Sequence, residues 1–143
     1  MNRVPLNILV VEDEADIALG ISRSLSRLEG VNTVACSTSA EQAIEKMRAT
    51  SYNIVVSDIY LTGMDGLSLL SSIKQNNPDT QVVLMTAFSN TKIHSEALKL
   101  GSDIFLEKPF DLCELKEIVV QLMDAIWKRN IGGFGHIPNN RIN

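Results

Sequence analysis

Five short apolar runs alternate with five amphipathic stretches along most of this chain. Four of the runs consist almost entirely of Val, Ile, Leu, Met and Phe, which is typical of parallel strands covered on both faces. The second run also contains Asn32 and Thr33, which favours a strand at the edge of the sheet. The runs occupy residues 8–11, 31–35, 54–56, 82–85 and 104–106.

The stretches between these runs carry apolar residues at helical spacing. In the first stretch the apolar stripe recurs at steps of four, four and three, at Ile17, Ile21, Leu25 and Leu28. Ser39 and Asp111 stand where N-caps of the second and fifth helices are expected, and Gly101 stands where the fourth helix should end. The alternation predicts an α/β fold with a doubly wound, five-stranded parallel sheet and helices on both faces.

Composition narrows the class of protein. The chain has 143 residues, is 45% hydrophobic and 21% charged, and carries a net charge of −4, which fits one globular domain and does not favour non-specific nucleic-acid binding. The two cysteines, Cys36 and Cys113, belong to no metal or redox motif. No apolar run approaches the roughly 20 residues of a membrane span, and no signal-peptide core is visible, so we expect a cytoplasmic protein.

The C-terminal residues differ from the rest. Residues 130–143 contain three glycines and a proline and show no periodicity. We expect one domain over residues 1–129, followed by a flexible tail or a truncated linker. The chain is expected to be either a stand-alone domain or the front part of a longer protein.

Polar residues follow four of the five predicted strands directly. Glu12 and Asp13 follow the first, Asp58 the third, Thr86 the fourth and Lys108 the fifth. Because the carboxyl ends of parallel strands meet at one edge of a sheet, we expect these groups to lie close together. That edge would carry three carboxylates, a hydroxyl and an ammonium group.

These groups suit phosphoryl transfer. Clustered carboxylates repel one another unless a cation lies between them, and Mg²⁺ prefers such oxygen ligands. An Asp carboxylate such as that of Asp58 can act as a nucleophile toward phosphorus. Lys108 and Thr86 could then contact the phosphoryl oxygens. Each residue alone also has an ordinary interpretation, as a helix-start acid, a turn residue or a surface lysine, but the combination favours a common site.

The segments around these residues resemble the receiver domain of response regulators in two-component signalling. The resemblance spans about residues 6–126 and implies a flavodoxin-like fold with strand order 2-1-3-4-5. The segments that carry it are residues 8–14 (ILVVEDE), 57–66 (SDIYLTGMDG), 83–87 (VLMTA) and 101–110 (GSDIFLEKPF).

The resemblance implies a phosphoprotein in a phosphorelay, with Asp58 accepting phosphate from a sensor histidine kinase or phosphotransfer protein. Mg²⁺ would be held by Asp13, Asp58 and the backbone carbonyl of Tyr60, with Glu12 acting through water. The chain would then be a signalling switch, and not an enzyme with a separate substrate. It would catalyse only its own phosphorylation and slow self-dephosphorylation.

The resemblance also implies how the switch works. Lys108 and Thr86 would contact the phosphoryl group, and Thr86 with Phe105 would form the switch pair. The bond before Pro109 is expected to be cis. The fourth helix, fifth strand and fifth helix would form an output face, open to a partner or to a homodimer, without direct nucleic-acid or membrane binding.

This chain departs from the family pattern at two positions. Glu12 stands where Asp is more usual, so its carboxylate reaches one methylene further. Thr62 stands where proline is common, so the loop after Asp58 loses one fixed φ angle. Two further positions, Tyr60 and Phe88, flank the attacking water in this family. Both are bulky and carry no acid or amide, from which we expect slow hydrolysis of phospho-Asp58.

Three other functions would require different residues at these positions. A haloacid-dehalogenase-type phosphatase would need a second Asp two residues after the nucleophile, where this chain has Tyr60. A flavodoxin would need a Ser-, Thr- and Gly-rich loop after the first strand, where this chain has three acids that would repel a flavin phosphate. An adaptor that never takes phosphate would not need Asp13, Asp58, Thr86 and Lys108 together.

Overall fold

The computed structural model describes residues 3–87 and 90–131, with side chains as far as Arg129. Within this part five parallel strands form one sheet in the order β2-β1-β3-β4-β5. This confirms the predicted fold class and strand order, and it confirms that the mixed second run is an edge strand. The strands are β1 (Leu6–Val11), β2 (Val31–Ser37), β3 (Ile54–Asp58), β4 (Gln81–Thr86) and β5 (Ile104–Glu107).

Five helices alternate with the strands and cover both faces of the sheet. They are α1 (Ala15–Ser26), α2 (Ala40–Ala49), α3 (Gly66–Asn76), α4 (Thr91–Lys99) and α5 (Leu112–Ile131). Helices α1 and α5 pack on one face, and α2, α3 and α4 pack on the other. None of the helices in the described residues has the length and apolar character that crossing a membrane would require.

The helix ends follow the local sequence signals. The Ser39 hydroxyl accepts a hydrogen bond from the backbone of Gln42 at 3.1 Å, which confirms its predicted capping of α2. Gly101 follows the C-cap of α4 with φ of +101°, a conformation that glycine adopts without strain. Helix α5 starts directly after Asp111 and continues to Ile131. The predicted tail was residues 130–143, but residues 130 and 131 belong to α5, and residues 132–143 lie outside the described residues.

The continuous apolar runs are explained by burial on both sides. Along β1, Ile8 and Val10 pack toward α1 and α5, while Leu9 and Val11 pack toward α2 and α3. Because both faces of a central strand are covered, its residues do not alternate between apolar and polar as they do in a half-exposed strand. Because helices cover both faces of the sheet, polar functional groups can lie only at the ends of the central strands.

Two glycines give a matched test of this packing. Gly30 has φ of +96°, and a Cβ built there would lie 2.5 Å from Cη2 of Trp127, whereas a Cβ on Gly20 meets nothing within 4 Å. We expect Gly30→Ala to lower the free energy of unfolding by about 1–3 kcal/mol. Gly20→Ala, inside α1, should raise it by up to about 1 kcal/mol. Chemical denaturation measures both, and equal effects would contradict this packing.

Candidate functional site

Lys108 brings together carboxylates that come from two other strands. Its Nζ lies 2.8 Å from Oδ2 of Asp58, the last residue of β3, and 3.1 Å from Oε1 of Glu12, which directly follows β1. Its backbone N–H donates to the Thr86 carbonyl at the end of β4 at 2.7 Å. The parallel sheet therefore gathers residues 12, 58, 86 and 108 at its carboxyl edge, where the strand pattern placed them.

Glu12 is a completely buried carboxylate. Its side chain is 0% exposed, and its second oxygen accepts a hydrogen bond from the Glu14 N–H at 3.1 Å. Burial raises the pKa of Glu12 above its ordinary value, although the Glu14 amide and Lys108 act in the opposite direction. Burial by itself lowers the pKa of Lys108, but its bonds to Asp58 and Glu12 outweigh burial, so the pKa is raised.

The backbone around Asp58 is held from several sides. The N–H of Ile59 donates to the Met85 carbonyl at 2.9 Å, and the Ser57 hydroxyl donates to the Asp58 carbonyl at 2.9 Å. A Cβ on Gly66 would collide with that same carbonyl oxygen and would lie 2.6 Å from Cα of Ile59. Only glycine therefore allows α3 to start this close to the end of β3.

The Asp58 side chain is largely buried, with 10% of it exposed. The residue is 7% exposed, and its Oδ1 accepts a hydrogen bond from the Tyr60 N–H at 3.1 Å. The Tyr60 residue itself is 45% exposed beside it. Asp58 is thus held by its neighbours on both carboxylate oxygens and keeps only a small exposed area.

Asp13 is a solvent-exposed residue at the edge of the site. Its Oδ2 accepts a hydrogen bond from the Thr62 hydroxyl at 3.4 Å, which links the loop after β1 to the loop after β3. Glu12 and Asp58 place two carboxylates beside the ammonium group of Lys108, and Asp13 directly follows Glu12 in the chain. This excess of negative oxygen donors fits a hard divalent cation.

The acids alone do not form a complete metal cage. Among residues 3–87 and 90–131, no group of three His, Cys, Asp or Glu side chains is arranged to hold a metal ion. The predicted ligand set needs only two carboxylates, a backbone carbonyl and water, which is the incomplete protein shell that Mg²⁺ commonly accepts. The donors present therefore fit Mg²⁺ better than they fit a cation that requires a full protein cage.

The predicted switch residues lie on neighbouring strands. Thr86 is buried at the end of β4, and Phe105 is half-buried on β5. The Phe105 ring stacks against the ring of His94 on α4, with centroids 4.7 Å apart. The Lys108–Pro109 bond is cis. Phe88, the second of the predicted water-access positions, lies outside the described residues.

Sequence reasoning missed three contacts around the site. His94 is exposed on α4, and the ring of Phe105 stacks against it. Glu41 on α2 accepts a hydrogen bond from the Met64 backbone at 3.2 Å, and Thr62 reaches Asp13. No signal in the sequence marks these pairs, because their partners are distant along the chain and each residue type is common on surfaces.

The buried carboxylate of Glu12 predicts a pH dependence that Glu12→Gln should remove. Because its pKa is raised on folding, the folded protein keeps this proton to a higher pH than the unfolded chain does. Measured in chelator, the stability of wild type relative to Glu12→Gln should fall as pH rises from 4.5 through the raised pKa. A difference that stays constant, or one that grows in favour of wild type, would contradict the dominance of burial.

Comparison with known proteins gives the same assignment as the fold. Residues 8–120 match the model of the response regulator receiver domain. The chain is 38% identical over 111 residues to the transcriptional regulatory protein ZraR of Escherichia coli K12, covering 78% of this chain and 25% of ZraR. It is 34% identical over 112 residues to the DNA-binding transcriptional regulator NtrC of the same organism, covering 78% and 24%.

A solved structure agrees. The receiver domain of the Francisella response regulator 1452 superposes with a TM-score of 0.77 at 29% identity, covering 85% of this chain and 98% of that one. The chain spans about a quarter of the length of the curated relatives it matches. With a family match over most of its residues and the family's sheet order, this chain belongs to the response regulator receiver domains.

Proposed function

We propose that this receiver domain accepts a phosphoryl group on Asp58 from a sensor histidine kinase or a phosphotransfer protein. The observation that carries the proposal is the contact of Lys108 with both Asp58 and Glu12 at the carboxyl edge of the sheet. The contact assembles a nucleophile, a cation and a buried acid from three separate strand ends. Membership of the receiver family supports the same reaction.

The transfer is an in-line displacement at phosphorus. An Asp58 carboxylate oxygen attacks, the new P–O bond forms, and the P–N bond of the donor's phosphohistidine breaks with its electron pair returning to the imidazole. Oδ1 of Asp58 is held by the Tyr60 N–H and Oδ2 by Lys108. These bonds orient the carboxylate before the donor arrives.

The remaining groups of the site offset the negative charge of the phosphoryl group. Asp13, Asp58 and the Tyr60 carbonyl would hold Mg²⁺, with Glu12 acting through water, and the bound ion would neutralise charge on the phosphoryl oxygens. Lys108 starts on the carboxylate of Asp58 and can move to the phosphoryl group without leaving Glu12. Glu12 thereby keeps the ammonium at the site throughout the reaction, because its own carboxylate is buried and fixed.

The phosphoryl group changes the protein through Thr86 and Phe105. The Thr86 hydroxyl donates to a phosphoryl oxygen, and Phe105 turns inward behind it. This movement alters the face formed by α4, β5 and α5, on which Leu98 is 60% exposed and Leu112 and Val120 are each 40% exposed. A partner, an output domain or a second copy of the chain would read that face.

Phosphorylation by a small donor tests the proposal directly. With acetyl phosphate and Mg²⁺, intact-mass spectrometry should show one phosphoryl group added to wild type and none to Asp58→Asn. The matched control is Asp65→Asn, which removes a carboxylate from the same loop but leaves a residue that can still cap α3. It should be labelled like wild type, and chelator should abolish labelling of both.

Labelling of Asp58→Asn at the wild-type rate would assign the phosphoryl group to another residue. The absence of labelling in wild type, with the protein folded by circular dichroism, would contradict phosphate acceptance from small donors. If phosphotransfer from a histidine-phosphorylated donor fails as well, the proposed function is wrong.

The residue types at positions 60 and 88 predict a long-lived phosphoryl group. Tyr60 is 45% exposed, and neither Tyr60 nor Phe88 carries an acid or amide that would orient a water molecule. Phe88→Glu should therefore shorten the lifetime by up to about 100-fold, the lower end of what a positioned base contributes. Phosphate release is timed after the donor is removed. A wild-type half-life of seconds that this change leaves unaltered would contradict the idea.

A further inference from the structure

The loop that follows Asp58 is tied to two neighbouring elements by side chains with no assigned role. On one side, Oε2 of Glu41 in the first turn of α2 accepts a hydrogen bond from the Met64 N–H at 3.2 Å. On the other side, the Thr62 hydroxyl donates to Oδ2 of Asp13 at 3.4 Å. The loop, residues 59–65, is thus connected to α2 and to the loop after β1.

The position of the Glu41 carboxylate is set by the turn it covers. Gly63 has φ of +84°, and a Cβ built there would lie 3.2 Å from Oε2 of Glu41. The carboxylate therefore lies directly over the Gly63–Met64 peptide. Met64 is partly buried against the α2–α3 side of the core, which brings its N–H toward α2.

The backbone of this loop has little stiffness of its own. Gly63 is the most flexible residue type, and Thr62 does not restrict φ as a proline would. An untied loop would need to be ordered whenever a ligand binds to it, and that ordering opposes binding. The two side-chain contacts supply the order in advance.

We propose that Glu41 and Thr62 are positioning residues that hold the 59–65 loop, and with it the Tyr60 backbone and the Asp13 carboxylate, in the geometry that binds a hard divalent cation. The inference rests on the proposed function, because it concerns the affinity of the same site. Neither residue contacts the phosphoryl group or the cation. Thr62 acts by orienting Asp13, and Glu41 acts by holding the turn that follows Tyr60.

Hydrogen exchange of the metal-free protein provides the first test. In Glu41→Ala the Met64 amide should lose protection, and in Glu41→Gln it should retain most of it, because the amide oxygen of Gln still accepts the bond. The control is Glu45→Ala, one turn further along α2, whose carboxylate pairs with the exposed Arg48. Unchanged protection of Met64 in Glu41→Ala would overturn the role of Glu41.

Calorimetric titration with Mg²⁺ provides the second test, without any phosphoryl donor. Glu41→Ala and the isosteric Thr62→Val should each weaken Mg²⁺ binding by about threefold to tenfold, the range expected when one ordinary hydrogen bond is lost. Glu41→Gln and Glu45→Ala should bind within about twofold of wild type. In phosphorylation by acetyl phosphate, the Mg²⁺ concentration for half-maximal rate should rise while the rate at saturating Mg²⁺ is kept.

The outcomes separate this inference from the proposed function. If wild type binds Mg²⁺ and is phosphorylated but Glu41→Ala and Thr62→Val bind Mg²⁺ as tightly as wild type, the positioning role is wrong and the function stands. If wild type neither binds Mg²⁺ nor accepts phosphate, the proposed function fails, although the Met64 exchange result would remain valid. A fall in the saturating rate alone would also overturn the inference.

Discussion

The ion pairs of Lys108 are the interaction on which the site depends. Its ammonium group reaches Asp58 and Glu12, and Glu12 is wholly inaccessible to solvent. A buried carboxylate without a partner is strongly destabilising, so the sheet edge can hold Glu12 only because a cation and a backbone N–H reach it. The same arrangement keeps an ammonium group beside the residue that we propose as phosphoacceptor. The stability of the buried Glu12 and the proposed function therefore both depend on the ion pairs of Lys108.

The sheet makes this contact possible. Parallel pairing of β1 with β3 and of β3 with β4 brings the ends of these strands to the same level, and β5 completes the edge beside β4. The two apolar layers bury nearly all of the central strands. The polar groups that follow them have no place except the carboxyl edge, where open parallel sheets generally place their ligands.

The loops around the edge differ in how they are held. The backbone at Asp58 is fixed by hydrogen bonds and by the close approach of Gly66, whereas the next residues depend on side chains from other elements. On β5, Phe105 packs on His94 of α4. In the switch that we propose, a change at Asp58 reaches that helix through this ring. A firmly held Asp58 backbone with less constrained loops around it suits the proposed function.

The parallel α/β architecture, the helix caps at Ser39 and Gly101, and the residues that meet at the sheet edge were predictable, because they depend on local pattern and on the geometry of parallel sheets. The strand order was implied by the resemblance of the motifs to receiver domains. The complete burial of Glu12, the contact of Glu41 with Met64 and the stacking of His94 on Phe105 were not. These contacts join residues that local periodicity does not relate, and their residue types are equally common on open surfaces. The spacing of apolar residues along the chain thus determined the architecture and which residues meet at the site. Only tertiary packing decided which charged side chains are buried and which loop residues are bonded to other elements.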